Sequence, residues 1–99
     1  MLPIHVVSAG GNIQALDSHR NLVLWGFSAA ESASSASTAE CVIRHGNSTS
    51  APPLFAPMNF AADGFCYPTF VPFPMQCPNG IFVERVSGVT TLILYVDYQ

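Results

Sequence analysis

Apolar positions along this chain recur with the two-residue period of β-strands, and glycine or proline interrupts them at short intervals. Residues 21–28 read as a strand of branched and aromatic side chains. Leu22, Leu24 and Gly26 fall on one face, and Val23, Trp25 and Phe27 on the other. With both faces apolar, this strand belongs inside a sandwich or at a subunit contact. Residues 39–45 alternate more cleanly, with Cys41 and Ile43 on one side, Glu40 and Arg44 on the other, and a turn at His45-Gly46-Asn47. Residues 54–60 read as a strand with Leu54, Ala56, Met58 and Phe60 on a common face. Asp63-Gly64 and Asn79-Gly80 both tolerate positive φ and mark chain reversals. Residues 81–86, Ser87-Gly88 and residues 90–98 read as a β-hairpin. In its second strand Leu92, Leu94, Val96 and Tyr98 share one face, and Ile93, Tyr95 and Asp97 the other. Turn signals at roughly 8–12-residue intervals predict an all-β, antiparallel sandwich or barrel.

Two stretches break the alternation. Residues 29–39 are almost entirely Ala, Ser, Thr and Glu. A strand–turn–strand of small side chains is expected there. The alternative is a short helix, which the five serines from Ser28 to Ser37 would weaken by competing for backbone hydrogen bonds. Residues 67–78 carry four prolines, which exclude a central strand and leave an edge strand, a loop or an extended arm. Phe70, Val71, Phe73 and Met75 are costly to leave in water, so this segment is expected to cover a core or pack on a neighbour. The 99 residues suffice for one core. The expected organisation is a β-sandwich domain over 21–99, preceded by an N-terminal arm or edge segment over 1–20, where Pro3 and Gly10-Gly11 interrupt the chain.

Composition sharpens this picture. Three basic and six acidic side chains make up 9% of the chain, none of them lysine, whereas 49% is hydrophobic. Soluble domains average about 25% charged residues, and surfaces that stay apart in water need interspersed charge. Much of this surface is therefore expected to be covered by copies of the chain or by a larger assembly. Arg20, Arg44 and Arg85 stand far apart in a chain of net charge −3, which argues against nucleic acid and against an anionic membrane. Met1 to His5 has neither the basic segment nor the apolar stretch of a secretory signal. The longest apolar run, Leu92 to Val96, is about a quarter of a membrane span. A soluble protein folding in a cytoplasm is the expectation. Three cysteines, Cys41, Cys66 and Cys77, agree with a reducing compartment, which disfavours the Cys66–Cys77 bridge that spacing alone would permit.

Motifs with a catalytic mechanism are few. Asp17-Ser18-His19 has the residue types of a hydrolytic triad, but adjacent side chains diverge, so a polar turn is expected. His5, His19, His45 and the cysteines lack the short spacings that fix two metal ligands locally, so no metal and no cofactor is expected. Cys41 reads as a small buried apolar residue. Asn47-Ser48-Thr49 matches a glycosylation acceptor and reads as a turn. Trp25, Phe27, Tyr67 and Phe70 have the chemistry of a sugar-stacking platform, although in so charge-poor a chain aromatics serve more often as core or interface anchors.

Four blocks carry a family resemblance: Trp25-Gly26-Phe27-Ser28 with Glu31; Val42-Ile43-Arg44-His45-Gly46; Met58-Asn59-Phe60-Ala61-Ala62-Asp63-Gly64; and Asn79-Gly80-Ile81-Phe82-Val83, followed by Val86-Ser87-Gly88 and Tyr95-Val96-Asp97. Over residues 22–98 the chain resembles a group of small structural proteins of tailed bacteriophages. These carry an aromatic-Gly strand, an R-x-G turn, an N-L-A-A-x-G turn and a G-I/V-x-V…V-S-G hairpin near the C-terminus. The chain departs from that pattern at 67–78, which is more proline-rich. The resemblance implies a jelly-roll-like β-sandwich subunit of the virion, of the cement or decoration type, and carries over no catalytic residue.

The expectation is thus a non-enzymatic protein on the capsid surface, assembled in the host cytoplasm. It would bind the major capsid protein at junctions between subunits and associate with itself, as a homotrimer. Trp25, Phe27, Phe70, Phe73 and Met75 are the expected anchors, with Arg44 and Arg85 at the rim. The alternatives are a tail or fibre adhesin that binds host glycan, and a small enzyme or ligand-binding barrel.

Overall fold

The structure, a computed structural model, describes residues 2–8, by their backbone pairing, and 10–99. Eight strands follow in order: β1 (Leu2–Ser8), β2 (Ile13–Leu16), β3 (Leu22–Glu31), β4 (Ala39–His45), β5 (Met58–Phe60), β6 (Phe65–Gln76), β7 (Ile81–Ser87) and β8 (Thr90–Tyr98). Their antiparallel pairings nest: β1 with β8, β2 with β7, β3 with β6, β4 with β5. The chain is in effect one long hairpin, rolled up so that successive pairs fall in opposite sheets. Contacts of β8 with β3 and of β7 with β4 complete the sheets, ordered β1-β8-β3-β6 and β2-β7-β4-β5. That order is the jelly roll, two Greek keys facing each other across a core. The first twenty residues supply one edge strand to each sheet, β1 and β2.

The core lies between the sheets. Leu22, Leu24, Phe27 and Ala29 of β3 and Leu92, Leu94 and Val96 of β8 face Cys41 and Ile43 of β4 and Ile81 and Val83 of β7. On β4 and β8 these are the inward positions that alternation predicts. No helix forms over 29–39; β3 runs to Glu31 and β4 begins at Ala39, as strand–turn–strand predicts. The proline-rich segment is an edge strand, β6.

Three expectations need correction. The C-terminal hairpin does not form: β7 and β8 lie in different sheets and face each other across the core. Gly88, at φ +68°, turns the corner between them, and a Cβ there would collide with the Thr38 carbonyl oxygen and Ala39. The expected strand over 54–60 is confined to Met58–Phe60. Pro52, Pro53 and Pro57 offer no N–H to a ladder. Leu54 N–H instead donates to the Ile43 carbonyl, at 2.8 Å, and Phe55 packs edge-on against Phe27 with ring centroids 4.7 Å apart. Finally, Phe27 is on the opposite face from the one expected. Against β8, Leu24 pairs with Val96 and Gly26 with Tyr95, the residue before it, so Trp25 is an extra residue in β3. Beyond it the alternation inverts, and Phe27 joins Leu22 and Leu24 in the core.

Candidate interaction surface

Among the described residues β6 has no neighbour beyond β3, and its sequence suits an edge. Its pairing with β3 slips twice, once between Cys66 and Thr69 and once between Phe70 and Met75. Tyr67-Pro68 occupies the first slip; Val71, Pro72, Phe73 and Pro74 occupy the second. All three prolines of the strand therefore sit where the ladder is already broken, where a missing N–H costs least. The slips also re-aim side chains. Phe73 is 79% and Tyr67 76% exposed, and Phe65 and Phe70 on the same strand are 60% and 50% exposed. A residue before proline is held extended, so Tyr67 and Phe73 project from stiff backbone.

Next to this edge, the outer face of the first sheet continues the apolar surface. Gly26 is in register with Phe70 on β6 and with Tyr95 on β8. Because Gly26 has no side chain, those rings meet across β3 with centroids 5.0 Å apart, although the strands that carry them are second neighbours. A Cβ on Gly26 would run into the Thr69 carbonyl oxygen and come within 2.9 Å of Phe70 Cα. At the other end of β6, Ser28 and Ala30 of β3, Phe65 and Cys66 of β6, and Thr91 and Ile93 of β8 line an open depression of about 240 Å³. Its small side chains make the hollow, and none of its lining residues carries a charge.

The expected anchors separate into three groups. Phe70 and Phe73 lie on the exposed β6 face. Trp25 sits at the slip facing them, half-buried, and its indole N–H is buried with no hydrogen-bond partner among the described residues. Phe27 is a core residue and presents no surface to a partner, while Met75 is half-buried and packs partly against that core. The sugar-stacking quartet is likewise not assembled, because Phe27 is inside while Tyr67 and Phe70 are outside. Arg44 and Arg85 belong to the opposite sheet. Arg44 Nε and Nη2 donate to Glu84 Oε1 at 2.9 and 2.8 Å, and Nη1 donates to the Ala51 carbonyl at 2.7 Å. Arg85 Nε donates to the Gly88 carbonyl at 3.0 Å. Phe65, Ile93 and Tyr95 were not among the expected anchors. Ile93 and Tyr95 are legible as the outward half of an alternation, but nothing in the sequence says that this face stays open.

The polar groups elsewhere are mostly structural. Glu31, nearly buried at the end of β3, accepts N–H groups of Asp63 at 2.9 Å and Ala33 at 2.6 Å. These bonds, Asp63 first, hold its carboxyl below the ordinary glutamate value against a smaller opposing effect of burial. Burial pushes the Cys77 thiol up to about 11 and raises that of Cys41; all three cysteines are free. His19 Nδ1 accepts the Asn21 N–H in an exposed turn, beside exposed Asp17 and Ser18. Among the described residues no three His, Cys, Asp or Glu side chains are grouped to hold a metal; the His5 side chain lies outside the described residues. A second open depression, about 440 Å³, lies at a loop end and is lined by Ser18, His45, Asn47, Ser48 and Asn79 among others, with no carboxylate. There His45 Nε2 accepts the Asn79 N–H at 3.1 Å.

The site is thus an uncharged aromatic edge and the sheet face beside it. No family model, no curated protein and no solved structure matches the chain.

Proposed function

We propose that this chain is a non-enzymatic structural subunit of a phage virion, a cement or decoration protein that binds the capsid shell at junctions between major capsid subunits. One observation carries the reading: a jelly roll with few charges exposes four aromatic side chains in a row on an edge strand that has no charge at all. Exposed apolar patches of this extent mark contact sites. A subunit so built adds buried apolar area across a seam between neighbours, where Phe70, Phe73, Tyr67 and Phe65 would enter crevices as rigid anchors. The resemblance of the turn and strand signatures to small phage structural proteins supports a phage particle as the assembly. A jelly roll suits it, since that fold recurs in viral shells, though also in lectins and cupins.

The test is co-sedimentation with empty capsids. A Phe70→Ala, Phe73→Ala double variant is expected to fold, since both side chains are exposed, and to bind at least about tenfold more weakly. Undiminished occupancy would remove these residues from the contact.

A second reading, a tail or fibre adhesin that binds host glycan, draws on the 440 Å³ loop-end depression, whose hydroxyl, amide and imidazole lining suits sugar hydroxyls. Binding on a glycan array that is lost in an Asn79→Ala variant would favour it. So would a few copies at the tail in place of many copies over the shell.

A further inference from the structure

We infer that the β6 face joins two copies of this chain, with Phe73 of each copy seated in the depression walled by Ser28, Ala30, Phe65, Thr91 and Ile93 of the other. This rests on the reading of the chain as an assembly subunit, puts a two-fold pair in place of the expected trimer, and gives Phe73 a second copy as its seat, so that Tyr67 and Phe70 are the anchors left for the shell.

Size and chemistry match. The depression measures about 240 Å³, and a cavity of about 150 Å³ already accepts benzene. Ala30, Ile93 and the Phe65 ring provide apolar walls, and the Thr91 hydroxyl donates to the Ser32 hydroxyl at 2.8 Å and so has its partner within the chain. Among the described residues Phe73 is the most exposed of the large apolar side chains, and it stands between Pro72 and Pro74. Its backbone loses little freedom on docking, which lowers the entropy cost of association.

Position and symmetry match as well. Phe65 and Cys66, which wall the depression, begin β6, whereas Phe73 lies near its end. A two-fold axis crossing the strand near Phe70 therefore carries each Phe73 to the depression of the other copy and closes two identical junctions, the commonest symmetry of oligomers. The proline-bearing slips oppose backbone pairing between the two β6 edges, so contact falls to the side chains. Each copy carries a net charge of −3, none of it on β6; on the face of Ile93 and Tyr95 the charged residue is Asp97, at the end of β8 away from the depression. The four exposed aromatics alone offer on the order of 500 Å², against about 800 Å² per partner in a standard interface. Ile93 and Tyr95 extend the patch toward that size.

Light scattering on the purified full chain tests the pairing. The wild type is expected at twice the 10.6 kDa protomer mass. Phe73→Ala and Ala30→Glu are each expected to weaken pairing at least about 30-fold while keeping the wild-type circular dichroism. If Ala30→Glu does not fold, Ile93→Gln makes the same wall polar. A mixture of the prong and wall variants is expected to pair more tightly than either alone, because one intact junction survives in the mixed dimer. A wild type that stays at protomer mass to about 1 mM, a trimer mass, normal pairing of Phe73→Ala, or no gain on mixing would each overturn the arrangement. Capsid co-sedimentation separates the two proposals. A monomer whose capsid binding needs Phe73 keeps the cement reading and ends this one. A Phe73-dependent dimer whose Phe70→Ala, Phe73→Ala variant still decorates capsids does the reverse for the anchors.

Discussion

Gly26 sets the local geometry of the aromatic face. Its missing side chain lets β6 approach β3 and lets Phe70 reach Tyr95. We expect Gly26→Ala to cost about 1–3 kcal/mol in denaturant unfolding, the range for overpacking a tight site. Glu31 clasps two loops through backbone N–H groups that favour its ionised form. Folding therefore lowers its pKa, so the stability it contributes is present above the unfolded value and is lost as pH falls through the folded one. Glu31→Gln should lower the thermal midpoint at pH 7, and its deficit relative to wild type should shrink as both are acidified below the carboxylate range. Burial raises the thiols of Cys41 and Cys77, so a thiol reagent at pH 8 should modify half-exposed Cys66 first. At this scale the sequence marks which positions are apolar, but not the extra residue at Trp25. A register slip depends on what β6 and β8 offer opposite, and it alone decides that Phe27 turns inward while its neighbour does not.

Among the elements, β6 is the one whose role follows most directly from residue chemistry. Prolines at residues 68, 72 and 74 exclude a central strand, and the structure puts them at an edge, within the slips. They also guard that edge. A Pro72→Thr, Pro74→Thr variant restores two N–H groups to an apolar, uncharged strand, and we expect it to aggregate faster than wild type on mild heating, as followed by turbidity. The C-terminal pair shows the opposite case. Both β7 and β8 alternate as expected, and Gly88 turns the chain between them, yet a tight turn between two apolar-faced strands serves equally for a hairpin and for a corner between sheets. The choice is made by distant partners, β4 and β2 for one strand, β3 and β1 for the other. The expected strand over 54–60 was cut short by the same kind of competition, because Leu54 bonds to Ile43 and Phe55 turns to Phe27.

For the whole molecule, nested pairing explains how so short a chain buries an extensive core while leaving one flank apolar and open. The jelly roll places the two arginines expected at a contact rim on the sheet opposite the aromatic edge. They hold their own sheet and its loops together, and the contact surface is left without cations. The scarcity of charge that was evident in the composition thus has a location: β6 and the face of Ile93 and Tyr95. On the proposed reading, protein covers this face in the working state. Hydroxyl-radical footprinting reads that cover residue by residue, by comparing side-chain oxidation in the assembled particle with that in the dilute chain alone. We expect Phe65, Tyr67, Phe70 and Phe73 to be strongly protected on assembly while exposed Tyr98, at the end of β8, changes little. Equal oxidation of the four β6 aromatics in both states would contradict the claim.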